Sequence, residues 1–133
     1  MNAHAKTDGR SEVRILLVDD QPEVRCGLRM ILQLEAGAVV IGEAGTATEA
    51  LMLAAALKPH LVIMDVEMPG LDGIAATERL LGMRPECLII ILTIHNRPDI
   101  KARAFAAGAW AFVEKGRPED MRTAFRRAQS VLF

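Results

Sequence analysis

Apolar and polar positions along the chain alternate between two patterns. Short apolar runs recur, and between them apolar residues return every three or four positions. Val13-Arg-Ile-Leu-Leu-Val18 is β-branched and apolar and predicts a first strand, which ends in Asp19-Asp20. Pro22 suits the first turn of a helix, with Val24, Leu28, Ile31, Leu32 and Glu35 at helical spacing and Gly37 closing it. Val39-Val-Ile41 opens a second strand running to about Ala44. Thr46, with Glu49 three residues on, makes a capping-box pattern for a helix that stops before Pro59. Leu61 to Met64 is a third strand that runs into Asp65, and Pro69 and Gly70 then turn the chain. Asp72 caps a helix from Gly73 to about Met83. Leu88-Ile-Ile-Ile-Leu92 is apolar on both faces, as a central parallel strand should be, and ends in Thr93. Pro98 opens a fourth helix, which Gly108 closes. Residues 110–113 predict a fifth strand ending in Glu114-Lys115, and Pro118 opens a last helix with Met121, Ala124, Phe125, Ala128 and Leu132 on one stripe.

Five strand–helix alternations predict an α/β domain with a parallel sheet and right-handed crossovers. In such sheets the ligand crevice lies beyond the carboxyl ends of the strands. The length of 133 residues suits one domain, at 13–133, preceded by a polar, loose lead-in at 1–12. Composition narrows the classes. With 51% hydrophobic and 25% charged residues the balance is that of a globular domain, and a net charge of −1 gives no basic footprint for nucleic acid. No apolar run reaches membrane-spanning length. Cys26 and Cys87 have neither CxxC nor metal spacing and read as free thiols of a reducing, cytoplasmic protein.

The chemistry collects at the strand ends. Asp19 and Asp20 follow the first strand, Asp65 the third, Thr93 the fourth and Lys115 the fifth. Each alone has an ordinary reading: Asp65 as the start of a loop, the acid pair as a turn, Lys115 as a solvated charge. Repetition at equivalent positions of one sheet is what points to a site. Three carboxylates held together repel and call for a divalent cation, and all-oxygen ligands favour Mg²⁺ over Zn²⁺. A hydroxyl and an ammonium suit phosphoryl oxygens, and a carboxylate can itself be the nucleophile that forms an aspartyl phosphate.

Val18-Asp-Asp20, Met64-Asp-Val-Glu-Met-Pro-Gly-Leu-Asp-Gly73, Leu92-Thr93 and Phe112-Val-Glu-Lys115 together resemble the receiver domain of two-component response regulators, over about residues 13–132. The stretches from Asp19 to Leu32 and from Leu92 to His95 look like receivers of NarL/FixJ-type transcription factors. The resemblance implies a single doubly wound, flavodoxin-like, five-stranded parallel sheet of order 2-1-3-4-5 flanked by five helices. It implies that Asp65 is the phospho-acceptor, that Asp20 ligates Mg²⁺ directly and Asp19 mainly through water, and that Glu67 lends its backbone carbonyl. Thr93 would be the switch hydroxyl, Lys115 the lysine that pairs with the phosphoryl group, and Phe112 the switch aromatic. The implied partner is a sensor histidine kinase, with small phosphodonors as a second source. The implied output is a changed surface on the fourth helix, fifth strand and fifth helix, the face receivers use to form homodimers or meet other domains. DNA would be reached only through a further domain, absent from this chain.

The chain departs from the pattern in places. Gly116 follows Lys115 where many receivers have proline, and Gln21 stands where the subfamily often has His. Ile94 is bulky beside the expected phosphate site and is read as restricting water and large donors. Glu67 and His95 either tune the lifetime of the phosphoryl group or simply point to solvent. Trp110 shares a side with Phe112 by strand alternation and is read either as a surface anchor or as ordinary packing. Arg122, Arg126 and Arg127 either pair across that face or are a solvated helix side. Two other functions compete: a phosphorylation-independent binding module, and a Mg²⁺-dependent phosphohydrolase in which Glu67 mimics the acid two residues past the nucleophile.

Overall fold

The computed structural model describes residues 12–133, so nearly all of the predicted lead-in lies outside the described residues. Five strands, β1 (Val13–Val18), β2 (Ala38–Ala44), β3 (Leu61–Asp65), β4 (Leu88–Thr93) and β5 (Ala111–Glu114), pair in parallel in the order β2-β1-β3-β4-β5. Between and after them run α1 (Pro22–Leu32), α2 (Ala47–Leu57), α3 (Gly73–Met83), α4 (Pro98–Ala106) and α5 (Pro118–Leu132). The doubly wound architecture is the one expected.

Each face of the sheet has its own core. Leu16, Val62, Met64, Ile89 and Ile91 pack under α2, α3 and α4, with Ala50, Ala54, Ala76, Leu80 and Ala104 facing them. Ile15, Leu17, Leu61, Ile63 and Ile90 pack under α1 and α5 against Leu28, Leu32 and Phe125. Successive strand residues therefore feed opposite cores, which is why β3 and β4 are apolar without interruption. Fully burying a side chain such as Phe125 is worth about 2–3 kcal/mol.

Local sequence sets the helix starts. Thr46 Oγ1 accepts from Glu49 N at 3.1 Å, and the Glu49 carboxylate reaches back to Gly45 N at 2.7 Å. Asp72 Oδ1 accepts from Ala75 N at 2.8 Å. Pro22, Pro98 and Pro118 each stand in the first turn of their helices, where a missing N–H costs nothing.

Two predicted boundaries need correction. The first helix ends at Leu32, and the chain reaches Gly37 (φ 82°) through turns. Glu35, expected at helical spacing, lies beyond the helix as a buried carboxylate held from α5. The fifth strand spans Ala111–Glu114, so Trp110 precedes it and does not obey its alternation. Trp110 packs with the core under α1 and α5, whereas Phe112 packs with the opposite one.

Candidate functional site

Parallel strands deliver their carboxyl ends to one edge of the sheet. Asp65 is the last residue of β3 and Thr93 the last of β4, and both are fully buried. Asp19 follows β1 and is buried as well, with exposed Asp20 beside it. Lys115 follows β5 in a turn that passes through Gly116 at φ 80°, a conformation glycine adopts at no steric cost.

The loop after Asp65 folds back tightly over its own start. Gly73 N donates to Val66 O at 3.0 Å, and a Cβ on Gly73 would lie 1.9 Å from the Asp65 carbonyl oxygen. Only glycine allows that approach, so Gly73 fixes the loop against the backbone of the central aspartate.

Carboxylate oxygens of Asp19, Asp20 and Asp65 lie within 4.8 Å of one another. Lys115 Nζ sits 2.9 Å from Asp19 Oδ2 and 3.3 Å from Asp65 Oδ1. Backbone N–H groups brace the buried pair: Gln21 N donates to Asp19 Oδ1 at 2.9 Å, and Glu67 N to Asp65 Oδ1 at 3.1 Å. One ammonium among three carboxylates leaves the cluster short of positive charge. Burial, and then the Asp19 charge, push the Asp65 carboxyl up to about 6, with the Glu67 N–H and Lys115 only partly opposing them. Burial pulls the Lys115 ammonium down, but its contacts with Asp19 and Asp65 outweigh this and leave it raised.

Asp65 Oδ2 is buried and accepts no hydrogen bond among the described residues. A buried carboxylate oxygen without a partner is costly and asks for a cation. With acidic oxygens converging on one point, the donor set fits a hard divalent ion. A cleft of about 250 Å³ lined by Asp20, Gln21, Glu67, Ile94 and Lys115 gives access from solvent.

Thr93 Oγ1 accepts from His95 N at 3.0 Å and lies 3.4 Å from Glu67 Oε1. Glu67 Oε2 meets His95 Nε2 at 2.8 Å. Glu67 and His95 are therefore paired with each other beside the threonine, while both side chains remain partly open to solvent. Ile94 is exposed at the cleft. Phe112 is partly buried, with Lys101 Nζ 5.9 Å from its ring centre, and Arg127 lies over Trp110 at 5.7 Å.

Arg122 and Arg126 have a different task from the one expected. Arg122 Nε donates to Glu35 Oε2 at 2.5 Å, and Arg126 Nε to Glu35 Oε1 at 2.8 Å. They tie α5 to the turn after α1, on the far side of the sheet from Phe112. The sequence reading also passed over Arg25, whose Nη1 donates to the Asp19 carbonyl at 2.6 Å. The available signal was Glu43, the one charged residue in β2, which Arg25 and Arg29 both bind. Cys26 is exposed and Cys87 buried, and both are free thiols. Among the described residues no helix is long and apolar enough to cross a membrane.

Comparison with known proteins agrees with this arrangement. The model of the response regulator receiver domain matches residues 15–126. The response regulator GacA of Pseudomonas aeruginosa is 38% identical over 117 residues, which cover 86% of this chain and 54% of that protein. The response regulator UvrY of Escherichia coli K12 is 34% identical, over 89% of this chain and 55% of that protein. The chain thus spans about half the length of these curated relatives. A two-component response regulator of the LuxR family from Aurantimonas sp. SI85-9A1 superposes with a TM-score of 0.86 at 36% identity, covering 90% of this chain and 86% of that one. The isolated REC domain of RcsB from Salmonella enterica serovar Typhimurium, solved in the presence of phosphomimetic BeF3⁻, gives 0.82 at 27% identity, covering 92% and 99%. With its sheet order, its strand-end acids and a match over most of its length, the chain belongs to the response regulator receiver domain family, and its relatives include regulators of the NarL and LuxR type.

Proposed function

We propose that the domain is a switch driven by phosphorylation of Asp65. The observation that carries this reading is the central carboxylate itself: fully buried, short of positive charge, and with one oxygen unpartnered. One Asp65 oxygen attacks the phosphorus of a phosphohistidine on a sensor histidine kinase, or of a small acyl phosphate. The bond from phosphorus to the leaving imidazole or carboxylate breaks, and that group keeps the electron pair. Asp19, Asp20, Asp65 and the backbone carbonyl of Glu67 would hold Mg²⁺, which neutralises charge on the phosphoryl oxygens when bound. Lys115, already turned toward Asp65, offers an ammonium to the new phosphoryl group.

Thr93 starts tied to His95 N–H and near Glu67, and the phosphoryl group competes for its hydroxyl. Movement of Thr93 gives Phe112 room to turn inward, which alters the α4–β5–α5 face. In this reading the two states pre-exist and phosphorylation shifts their populations. The paired Glu67 and His95, with Ile94, set how easily water reaches the acyl phosphate. Ile94→Ala is expected to shorten its lifetime, measured as release of radiolabelled phosphate; an unchanged lifetime removes Ile94 from this role.

The domain catalyses only its own phosphorylation and slow dephosphorylation. As the receiver part of a longer cytoplasmic regulator, it would pass the signal to a DNA-binding output or to a second copy through the α4–β5–α5 face. The similarity to GacA and UvrY, of which this chain matches only about half, supports that placement.

Intact mass after incubation with acetyl phosphate and Mg²⁺ tests the core of the reading. One added phosphoryl group is expected, absent in Asp65→Asn and with EDTA. If no gain is seen and no beryllofluoride complex forms, the domain is a binding module instead.

A further inference from the structure

The acid pair after β1 lies just where the sheet stops holding the chain. Pairing of β1 ends at Val18, opposite Ala44 on one side and Met64 on the other. Asp19 N still donates to Ala44 O at 3.1 Å, but the Asp19 carbonyl has left the ladder. That carbonyl accepts from Arg25 Nη1 at 2.6 Å, a short charge-assisted bond. Arg25 is aimed in turn: its Nε donates to Glu43 Oε1 at 2.9 Å, and Arg29 holds the other oxygen of Glu43.

The two acids differ in what braces them. Gln21 N–H and Lys115 hold the Asp19 side chain directly. No side chain among the described residues braces the exposed Asp20 carboxylate, so its aim depends on its backbone. A peptide unit is planar, so fixing the Asp19 carbonyl fixes the direction in which the Asp20 Cα leaves it. Glu43 balances the Arg25 charge, so the guanidinium does not oppose a cation at the cluster.

We propose that Arg25 is a positioning residue for the metal site, orienting the Asp19–Asp20 peptide so that Asp20 reaches the cation, with Glu43 aiming Arg25. This rests on the metal-site reading above. Arg29 supplies the control within the same cluster. It binds Glu43 as Arg25 does, yet does not touch Asp19. If the cluster merely ties α1 to β2, losing either arginine has the same consequence.

Calorimetric titration with Mg²⁺ alone, on the unphosphorylated chain, separates the cases. Arg25→Met is expected to weaken Mg²⁺ binding about tenfold or more, the usual effect of removing an outer-sphere partner. Arg29→Met is expected to bind as the wild type does. Glu43→Gln leaves Arg25 in place but unaimed and is expected to fall between them, giving a second variant should Arg25→Met fold poorly. The double variant Arg25→Met with Glu43→Gln is expected to be no weaker than Arg25→Met alone. In metal-free protein, the Asp20 amide resonance is expected to shift in Arg25→Met and not in Arg29→Met. Unaltered Mg²⁺ affinity in both Arg25→Met and Glu43→Gln overturns the proposal, and so does equal weakening by Arg25→Met and Arg29→Met. Absence of Mg²⁺ binding by the wild type strikes the metal-site reading itself, a separate failure.

Discussion

Glu35 and Asp65 are both buried carboxylates, and their surroundings treat the charge in opposite ways. Glu35 faces two guanidiniums: Arg126 places Nε and Nη2 at 2.8 and 3.0 Å, and Arg122 adds Nε at 2.5 Å. Burial pushes its carboxyl up, but the two arginines outweigh this and hold it below the usual 4.5. Asp65 has one ammonium at 3.3 Å, shared with Asp19, and a second carboxylate as neighbour. Burial and that neighbour push it up to about 6. A charge satisfied by its own chain serves the fold. A charge left short serves something that binds, at a cost in stability that the rest of the domain must cover. Experiments that change each carboxylate in turn test this contrast.

The largest effect is expected from Asp65→Asn. It removes the proposed nucleophile, so phosphoryl acceptance falls to nothing by intact mass. It also removes a repelling charge, so in EDTA the variant is expected to melt above the wild type. Lys115 keeps its 2.9 Å contact with Asp19 and is not stranded. A lower melting temperature than the wild type would mean that Asp65 is structurally satisfied, and the contrast would fail.

Glu35→Gln is the mirror experiment. It keeps the shape but leaves two arginines facing a neutral amide. Breaking a buried pair costs about 3–5 kcal/mol, and solvent screening of the partly exposed arginines reduces this to about 2 kcal/mol. Urea unfolding reads the loss. Acceptance by Asp65 is expected to be unchanged, because Glu35 lies on the opposite side of the sheet from α4.

The difference between the two carboxylates also explains what the amino-acid order disclosed. Asp19, Asp20, Asp65, Thr93 and Lys115 stand at or just past the ends of apolar runs, so strand topology alone collects them, and motif resemblance suggested the roles proposed for them. The sheet and its helices were visible for the same reason: burial on two faces writes a period into the chain. Glu35 was misread because its spacing from Ile31 fits a helix, while the partners that bury it are 87 and 91 positions away. Pairings at that distance leave no local period. Arg25 left only the lone charge of Glu43 in β2 as a signal, since its contact at the site is a carbonyl and any residue has one. Trp110 was misplaced because it stands one residue before the strand, where the two-residue alternation does not hold.

Adding Mg²⁺ is expected to have a smaller, selective effect. At about ten times the dissociation constant, a ligand of the folded state alone stabilises by about 1.4 kcal/mol. The wild type and Glu35→Gln are expected to gain this increment equally in thermal melts, because the metal meets only the Asp65 side. Asp20→Asn is expected to gain less. An unchanged wild-type melt at millimolar Mg²⁺ would leave the acid cluster without its proposed ion.

The smallest effect is expected from pH alone, and its sign differs between the two groups. In metal-free protein, the Asp65 carboxyl stands at about 6 when folded and near 3.8 when unfolded. The folded state therefore takes up its proton first, and stability rises as pH falls through that window. Between pH 7 and 6 the gain stays below about 1 kcal/mol, since the group is only half protonated at the lower limit. Glu35 behaves in reverse. Its folded value lies below 4.5, so its contribution is intact above that pH and is lost as pH falls through the folded value. Wild type in EDTA should thus become slightly more stable from pH 7 to 6 and lose stability below about 4, where unfolded carboxylates take up protons. Asp65→Asn should lack the first change and keep the second, whereas Glu35→Gln should keep the first and show a smaller second, since Glu43, held low by Arg29 and Arg25, still loses its contribution in acid. If one substitution removed both changes, the two carboxylates would be coupled through the sheet and no longer separable into one that serves the fold and one that serves binding.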